Sequence, residues 1–216
     1  MARIAFIGGT GPEGIGLAMR FVKSGNIVFI GSRTEEKAAA AVAEIQAALP
    51  EGEIYGGFNW EGAAKADFVF VTVPADGHKD ILTELAEHIG NKVVVDCVVP
   101  MVFDADGPRP APPEAGSAAE EAQLILPDAK VISGFHHVDG KSLQKVDRPM
   151  QGDVLICGDD KQAKKNVMGL AEEIEYMRAL DAGPLYNSRI LESVTAVLIT
   201  INKQYKAHSG IHITGV

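Results

Sequence analysis

The chain has 216 residues, 46% of them hydrophobic and 23% charged, and 20 Lys+Arg against 29 Asp+Glu leave a formal charge of −9. That composition excludes a disordered tail, a collagen-like polymer and a disulfide miniprotein, because enough apolar side chains are present to fill a core. Acidity spread along the chain argues against nucleic-acid binding, which needs a concentrated basic patch.

No apolar run reaches the roughly 18–20 residues of a membrane helix. The chain enters a predicted strand within two residues of its start and shows no basic segment followed by a longer apolar one, so no secretion signal is expected. Cys97 and Cys157 lack a Cys-x-x-Cys spacing, and a reduced, cytoplasmic protein is the expectation.

Residues 3–8 (RIAFIG) read as a first strand and 14–24 as a helix with Ile15, Leu17, Ala18, Phe21 and Val22 on one face. Residues 26–31 (NIVFIG) form a second predicted strand, and 34–49 an Ala-rich helix stopped by Pro50. Short apolar runs at 53–58, 67–73 and 92–98 follow, with a helix expected between the last two. Strands alternating with helices predict a parallel sheet covered on both faces. Between 104 and 116, Pro108, Pro110, Pro112 and Pro113 predict an exposed loop. Beyond it the chain reads as a helix at 117–126, a strand at 130–136 and a strand at 154–158. A helix capped by Asp159 or Asp160 follows, with Val167, Leu170, Ile174 and Met177 in register. A final helix from Asn187 or Ser188 shows an apolar stripe, Ile190, Leu191, Val194, Val197, Leu198 and Ile201.

Gly9-Thr10-Gly11-Pro12-Glu13-Gly14 matches G-x-G-x-x-G directly after the first strand and at the opening of a helix. In that context backbone N–H groups and the positive end of the helix can hold a pyrophosphate, the signature of a Rossmann-type, doubly wound sheet. Pro12 donates no N–H but suits a first helical turn. Glu13 brings a negative side chain close to the phosphate position and must point away or be countered.

The second predicted strand ends in Gly31-Ser32-Arg33-Thr34, with no carboxylate to accept from a ribose hydroxyl. Ser32, Arg33 and Lys37 instead suit an adenosine 2′-phosphate, which favours NADP over NAD. Val73 and Pro74, at the carboxyl end of the fourth strand, are expected on the nicotinamide side.

His136 and His137 are the only paired histidines. In an extended segment they would point to opposite sides, so one of them, His136, is the candidate to face a site and move a proton. No Ser-His-Asp arrangement, H-E-x-x-H motif or metal-ligand spacing is present. What remains is a cofactor protein in which the cofactors carry the chemistry.

IGGTG at 7–11, GSR-x-x-EK at 31–37, Val73-Pro74, Val99-Pro100, CGDD at 157–160, R-x-LDAGPL-x-NSR at 178–189 and LES at 191–193 together resemble the NADPH-dependent coenzyme F420 reductases. The resemblance spans nearly the whole chain. It implies hydride exchange between C4 of a nicotinamide and C5 of the deazaflavin coenzyme F420, stacked between a Rossmann domain at 1–150 and a small C-terminal α/β extension at 151–216. It also implies NADP contacts at Thr10, Gly11, Ser32, Arg33 and Lys37, with Pro12 and Glu13 departing from the commoner Asn-Leu. A small carbonyl, imine, flavin or ferric-chelate acceptor, or an NADP-sensing regulator, are the alternatives. The stripe along the last helix exceeds what a small appendage buries, so a homodimer is expected.

Overall fold

In the computed structural model, which describes residues 1–216, the strands in chain order are β1 (Arg3–Ile7), β2 (Ile27–Ser32), β3 (Ile54–Phe58), β4 (Phe68–Val71), β5 (Val93–Asp96), β6 (Met101–Asp104), β7 (Gly107–Pro110), β8 (Lys130–Ser133), β9 (Gly152–Gly158) and β10 (Met177–Asp181). Eight of them form one sheet ordered β10-β9-β8-β5-β4-β1-β2-β3. Every pairing in it is parallel except β8 with β9. The segment after residue 150 therefore continues the same sheet.

The helices are α1 (Pro12–Lys23), α2 (Glu35–Ala48), α3 (Asn59–Lys65), α4 (His78–Ile89), α5 (Ala118–Ile125), α6 (Gly140–Leu143), α7 (Lys161–Glu172) and α8 (Ser188–Tyr205). Successive strand residues face opposite sides. Ile4, Phe6, Phe70 and Val95 point to the layer built by α1, α2 and α7, whereas Ala5, Ile7, Val69, Val71 and Val94 point to that of α3, α4 and α5. Both faces are covered, which is why the strands read as unbroken apolar runs. Phe70 centres the first layer, with ring centroids 5.1 Å from Phe6, 5.3 Å from Phe21 and 5.6 Å from Phe135.

Three expectations need correction. The proline-rich segment is an open loop only in its second half: residues 111–116 lie outside helix and strand, but β6 and β7 before them pair as an antiparallel hairpin carrying an Arg109–Asp104 ion pair. Prolines are tolerated there because each strand of a two-stranded ribbon has a free edge. The helix expected to run through Met177 stops at Glu172, and Met177 opens β10. Tyr176, at φ 67°, makes the turn between them. Finally, α3 lies between β3 and β4, where no helix was predicted. Asp160, by contrast, caps α7 as expected, accepting from the Ala163 N–H at 2.8 Å.

Residues past α8 return to the sheet. The Ile211 carbonyl accepts from the Asp153 N–H at 2.8 Å. Buried Asp153 is gripped by the Arg178 fork at 2.7 and 2.8 Å. That guanidinium also reaches the Ile213 carbonyl at 2.8 Å and that of Val216 at 3.0 Å. The tail thus occupies the flank of β9 that β8, paired to it over only two residues, leaves open.

Arg20, only 2% exposed, fastens α1 to the segment around α6. Its guanidinium donates to the carbonyls of Leu143 (2.7 Å), Lys145 (2.8 Å), Arg148 (2.9 Å) and Ser142 (3.1 Å). Replacing it removes one cation and strands four carbonyls. Arg20→Met is expected to cost roughly 2–4 kcal/mol of stability. Urea unfolding measures this, and an unchanged midpoint would contradict the assignment.

Candidate functional site

The site grows from the turn between β1 and α1. Gly8 donates its N–H to Asn59 Oδ1 at 3.1 Å, and Gly9 donates to the Gly31 carbonyl at 3.1 Å. These two bonds tie the turn to α3 and to β2. Gly11 precedes α1 with no side chain to cap it, so the first N–H groups of the helix stay available to a ligand. A Cβ on Gly14 would sit 2.7 Å from Gly9 Cα, whereas one on Gly11 would meet nothing within 4 Å. Gly14 is therefore required for packing, and Gly11 keeps the open side clear.

Above the turn lies a cleft of about 1010 Å³ along the carboxyl ends of β1, β2 and β4. Thr10, Gly11, Pro12, Glu13 and Gly14 form its floor; Ser32, Arg33 and Lys37 one side wall; Val73 and Pro74 its far wall. The structure thus gathers all of these predicted residues at one place. Gly9 sits below the loop, where a Cβ would lie 2.6 Å from Phe6 Cβ. Arg33 and Lys37 are exposed and join none of the chain's ion pairs. The residues present fit a phosphorylated dinucleotide: a glycine cradle, a helix N-terminus and two uncommitted cations.

Asn59, Thr72, Asp76, Gly77, Asp80 and Ile81 also line the cleft and were missed by sequence reasoning. Asn59 could have been suspected only from its place just after the third strand, because its partner Gly8 is 51 residues away.

Behind the far wall is a buried polar network that the sequence did not announce. Asp96, the last residue of β5, meets His78 Nε2 at 2.7 Å and accepts from the Val98 N–H at 3.1 Å. The other nitrogen of His78 lies 3.1 Å from Glu121 of α5. Burial opposes charge on His78, but Asp96 and Glu121 outweigh it and push the imidazole up to about 9. Glu192 of α8 accepts from the N–H groups of Ala118 (3.0 Å) and Ala119 (3.2 Å) at the start of α5. Burial pushes its carboxyl up to about 8. The one sequence signal was a lone Asp closing an all-Val strand.

The two histidines after β8 are both buried. Their expected alternation fails because β8 ends at Ser133 and Phe135 takes φ 70°, a left-handed conformation that reorients the chain. His136 lies 3.4 Å from Ser133 Oγ through Nε2, has no partner on Nδ1, and is not among the residues lining the cleft. Burial pushes its imidazole down to about 4, so it is neutral near pH 7. His137 Nε2 lies 2.8 Å from the Asp153 carbonyl and 3.4 Å from the Leu155 N–H, and so stands in for a strand beside β9.

Residues 3–100 match a family profile described as NADP oxidoreductase, coenzyme F420-dependent. The F420-dependent NADP reductase of Methanocaldococcus jannaschii is 39% identical over 99% of both chains. That of Methanothermobacter thermautotrophicus is 35% identical over 99% of this chain and 95% of its own. A crystal structure from Arthrobacter sp. FB24, provisionally assigned as an F420-dependent NADP-reductase, superposes with a TM-score of 0.85 over the full length of both chains at 24% identity. That last likeness speaks for the fold.

The network ties stability to pH. Folded His78 holds a proton that the unfolded chain releases above about 6.5, so its contribution is complete below that pH and is lost as pH rises through about 9. Glu192, protonated up to about 8 when folded against 4.5 in its ordinary state, acts in the same direction. The urea midpoint is expected to fall between pH 6.5 and 9.5, with His78 accounting for roughly 1–3 kcal/mol of the loss. His78→Asn should flatten the slope, and an unaltered slope in that variant would refute the assignment.

Proposed function

Because this chain belongs to the F420-dependent NADP reductase family, an oxidoreductase family that transfers hydride between NADP(H) and coenzyme F420, we propose that the cleft over the glycine turn is where this chain holds its nucleotide. The observation that carries the reading is the pair Arg33 and Lys37, free of ion pairs at a strand end that lacks a carboxylate. Ser32 and these two cations receive the 2′-phosphate, and the first turn of α1 receives the pyrophosphate.

When bound, the nicotinamide and the deazaflavin supply the redox chemistry, a hydride passing from one ring to the other. The chain's part is to bind, orient and exclude water. Val73 and Pro74, rigid and apolar at the end of β4, form a wall against the nicotinamide side. The second cofactor then lies between the 1–150 portion and the 151–216 extension. Within this reading His136, buried and absent from the cleft lining, does not touch the reacting rings, and its low proton affinity also removes it as a general acid.

The same reading pairs two copies of the chain. Ile190, at 65% exposed, Val197 and Ile201 remain uncovered along α8, and Val102 and Phe103, the latter 70% exposed, remain uncovered on the hairpin. A two-fold contact through α8 and the hairpin would cover them. Both cysteines are free and buried, which suits a reducing compartment such as the cytoplasm. No helix is long and apolar enough to cross a membrane.

Arg33→Ala is expected to weaken NADPH by about 10- to 100-fold while changing NADH affinity less than about threefold. Fluorescence titration with both nucleotides decides it, and equal losses would sink the assignment. For the pairing, Val197→Glu should convert a dimer to a monomer in analytical ultracentrifugation while NADPH still binds. A wild-type chain that sediments as a monomer would refute the dimer.

A further inference from the structure

Three buried side-chain atoms in the protein lack a hydrogen-bond partner, and one of them belongs to a residue lining the nucleotide cleft: Oε1 of Glu13. Glu13 is the second residue of α1. Its Oε1 is buried while the residue as a whole keeps partial exposure at the cleft, and the carboxyl makes no ion pair. From β5, Asp96 faces it and adds a like charge, and Cys97 lies close enough to feel the charge of Glu13. Asp96 is held in turn by His78 of α4, with Glu121 of α5 behind it, while Glu192 of α8 and His136 after β8 both feel the Asp96 charge. Burial, reinforced by Asp96, pushes the Glu13 carboxyl up to about 8, so it carries its proton at neutral pH.

The direction in which Glu13 is turned matters. Ser32, Arg33 and Lys37 stand past β2, on one side of the point where the sheet order reverses between β1 and β4. Asp96 and Cys97 follow from β5, on the other side, and Glu13 is packed toward that side: a Cβ on Gly140, just past β8, would lie 3.0 Å from its backbone nitrogen. A dinucleotide spanning that point has its adenosine over the first half and its nicotinamide over the second. The Glu13 carboxyl is therefore on the nicotinamide side. The polar substituent of that ring is a primary carboxamide, which presents an acceptor oxygen and a donor N–H side by side. A neutral carboxyl presents the complementary O–H and carbonyl oxygen with the same spacing.

We propose that Glu13 is the recognition group for the nicotinamide carboxamide, its O–H donating to the carboxamide oxygen and its carbonyl oxygen accepting from the carboxamide N–H. The pair fixes which way the ring lies in the cleft, and it satisfies the orphaned oxygen. Ionisation would remove the donor and place a second negative charge beside Asp96. This inference rests on the reading that the cleft holds NADP(H), and it assigns to Glu13 a specificity role distinct from the phosphate contacts.

The test is calorimetric titration of NADP⁺ and of adenosine 2′,5′-bisphosphate, which lacks the nicotinamide, at pH 7 and pH 9. Glu13→Leu is expected to weaken NADP⁺ about tenfold and to leave the bisphosphate within about twofold. Glu13→Gln, which keeps a donor and an acceptor at every pH, should stay within about threefold of the wild type at pH 7. Wild-type affinity for NADP⁺ should fall between pH 7 and 9 relative to the bisphosphate, and that of Glu13→Gln should not. Equal losses for both ligands in Glu13→Leu, no loss at all, or a Glu13→Gln profile that tracks the wild type would each overturn the proposal. Failure of the unaltered protein to bind either ligand would instead overturn the cleft assignment on which it stands.

Discussion

Two hydrogen bonds donated by backbone N–H groups, Gly8 to the side-chain Oδ1 of Asn59 and Gly9 to the Gly31 carbonyl, hold the β1–α1 turn in the shape everything else requires. A chain leaving a buried strand must reverse within four residues and deliver a helix whose N-terminus points back over the strand ends. Side chains would fill the space the turn itself occupies, so the turn is anchored from outside, by an amide of α3 and a carbonyl of β2. Once that geometry is fixed, α1 can pack through Phe21 on Phe70 and through Arg20 on the α6 segment. The cleft is what remains open above it.

The electrostatic organisation follows from the same constraint. An acidic chain that serves an anionic nucleotide must place positive potential locally, and it does so with a helix N-terminus and two unpaired cations at one end of the cleft. At the other end the chain buries carboxyl groups. Glu13 and Glu192 are kept protonated by burial, and Asp96 is answered by a charged His78. The carboxyl groups buried behind the far wall are thus protonated or paired, while Asp76 and Asp80 remain on the cleft lining itself.

Much of this was legible in the amino-acid order, and the parts that were not share a cause. That the glycine turn, Ser32, Arg33 and Lys37 share one cleft was readable because each lies within a few residues of a strand end, where local pattern fixes position. The His78–Asp96–Glu121 network was invisible because its members are brought together by three different elements, α4, β5 and α5. The same holds for Asn59. The hairpin at β6–β7 was misread because proline content speaks against a central strand and says nothing against a ribbon with two free edges. The pair His136–His137 was misread because alternation presumes extended backbone, and Phe135 abandons it, a departure that costs about 1–3 kcal/mol and is held in place by the aromatic cluster.

The return of the last residues to β9 carries one more consequence. β8 and β9 diverge after two paired residues, and the exposed flank is closed by the His137 imidazole and by Ile211. A parallel sheet normally has vulnerable edges only at its two outer strands. Here the interior flank of β9 depends in part on the terminal segment: without it the Asp153 N–H and one carboxylate oxygen would each lose a partner, while His137 would still hold the Asp153 carbonyl and the Leu155 N–H. The Arg178 clasp on the carbonyls of residues 213 and 216 therefore fastens the end of the chain to the middle of the sheet, making the last residues part of the β9 environment and not a loose appendage.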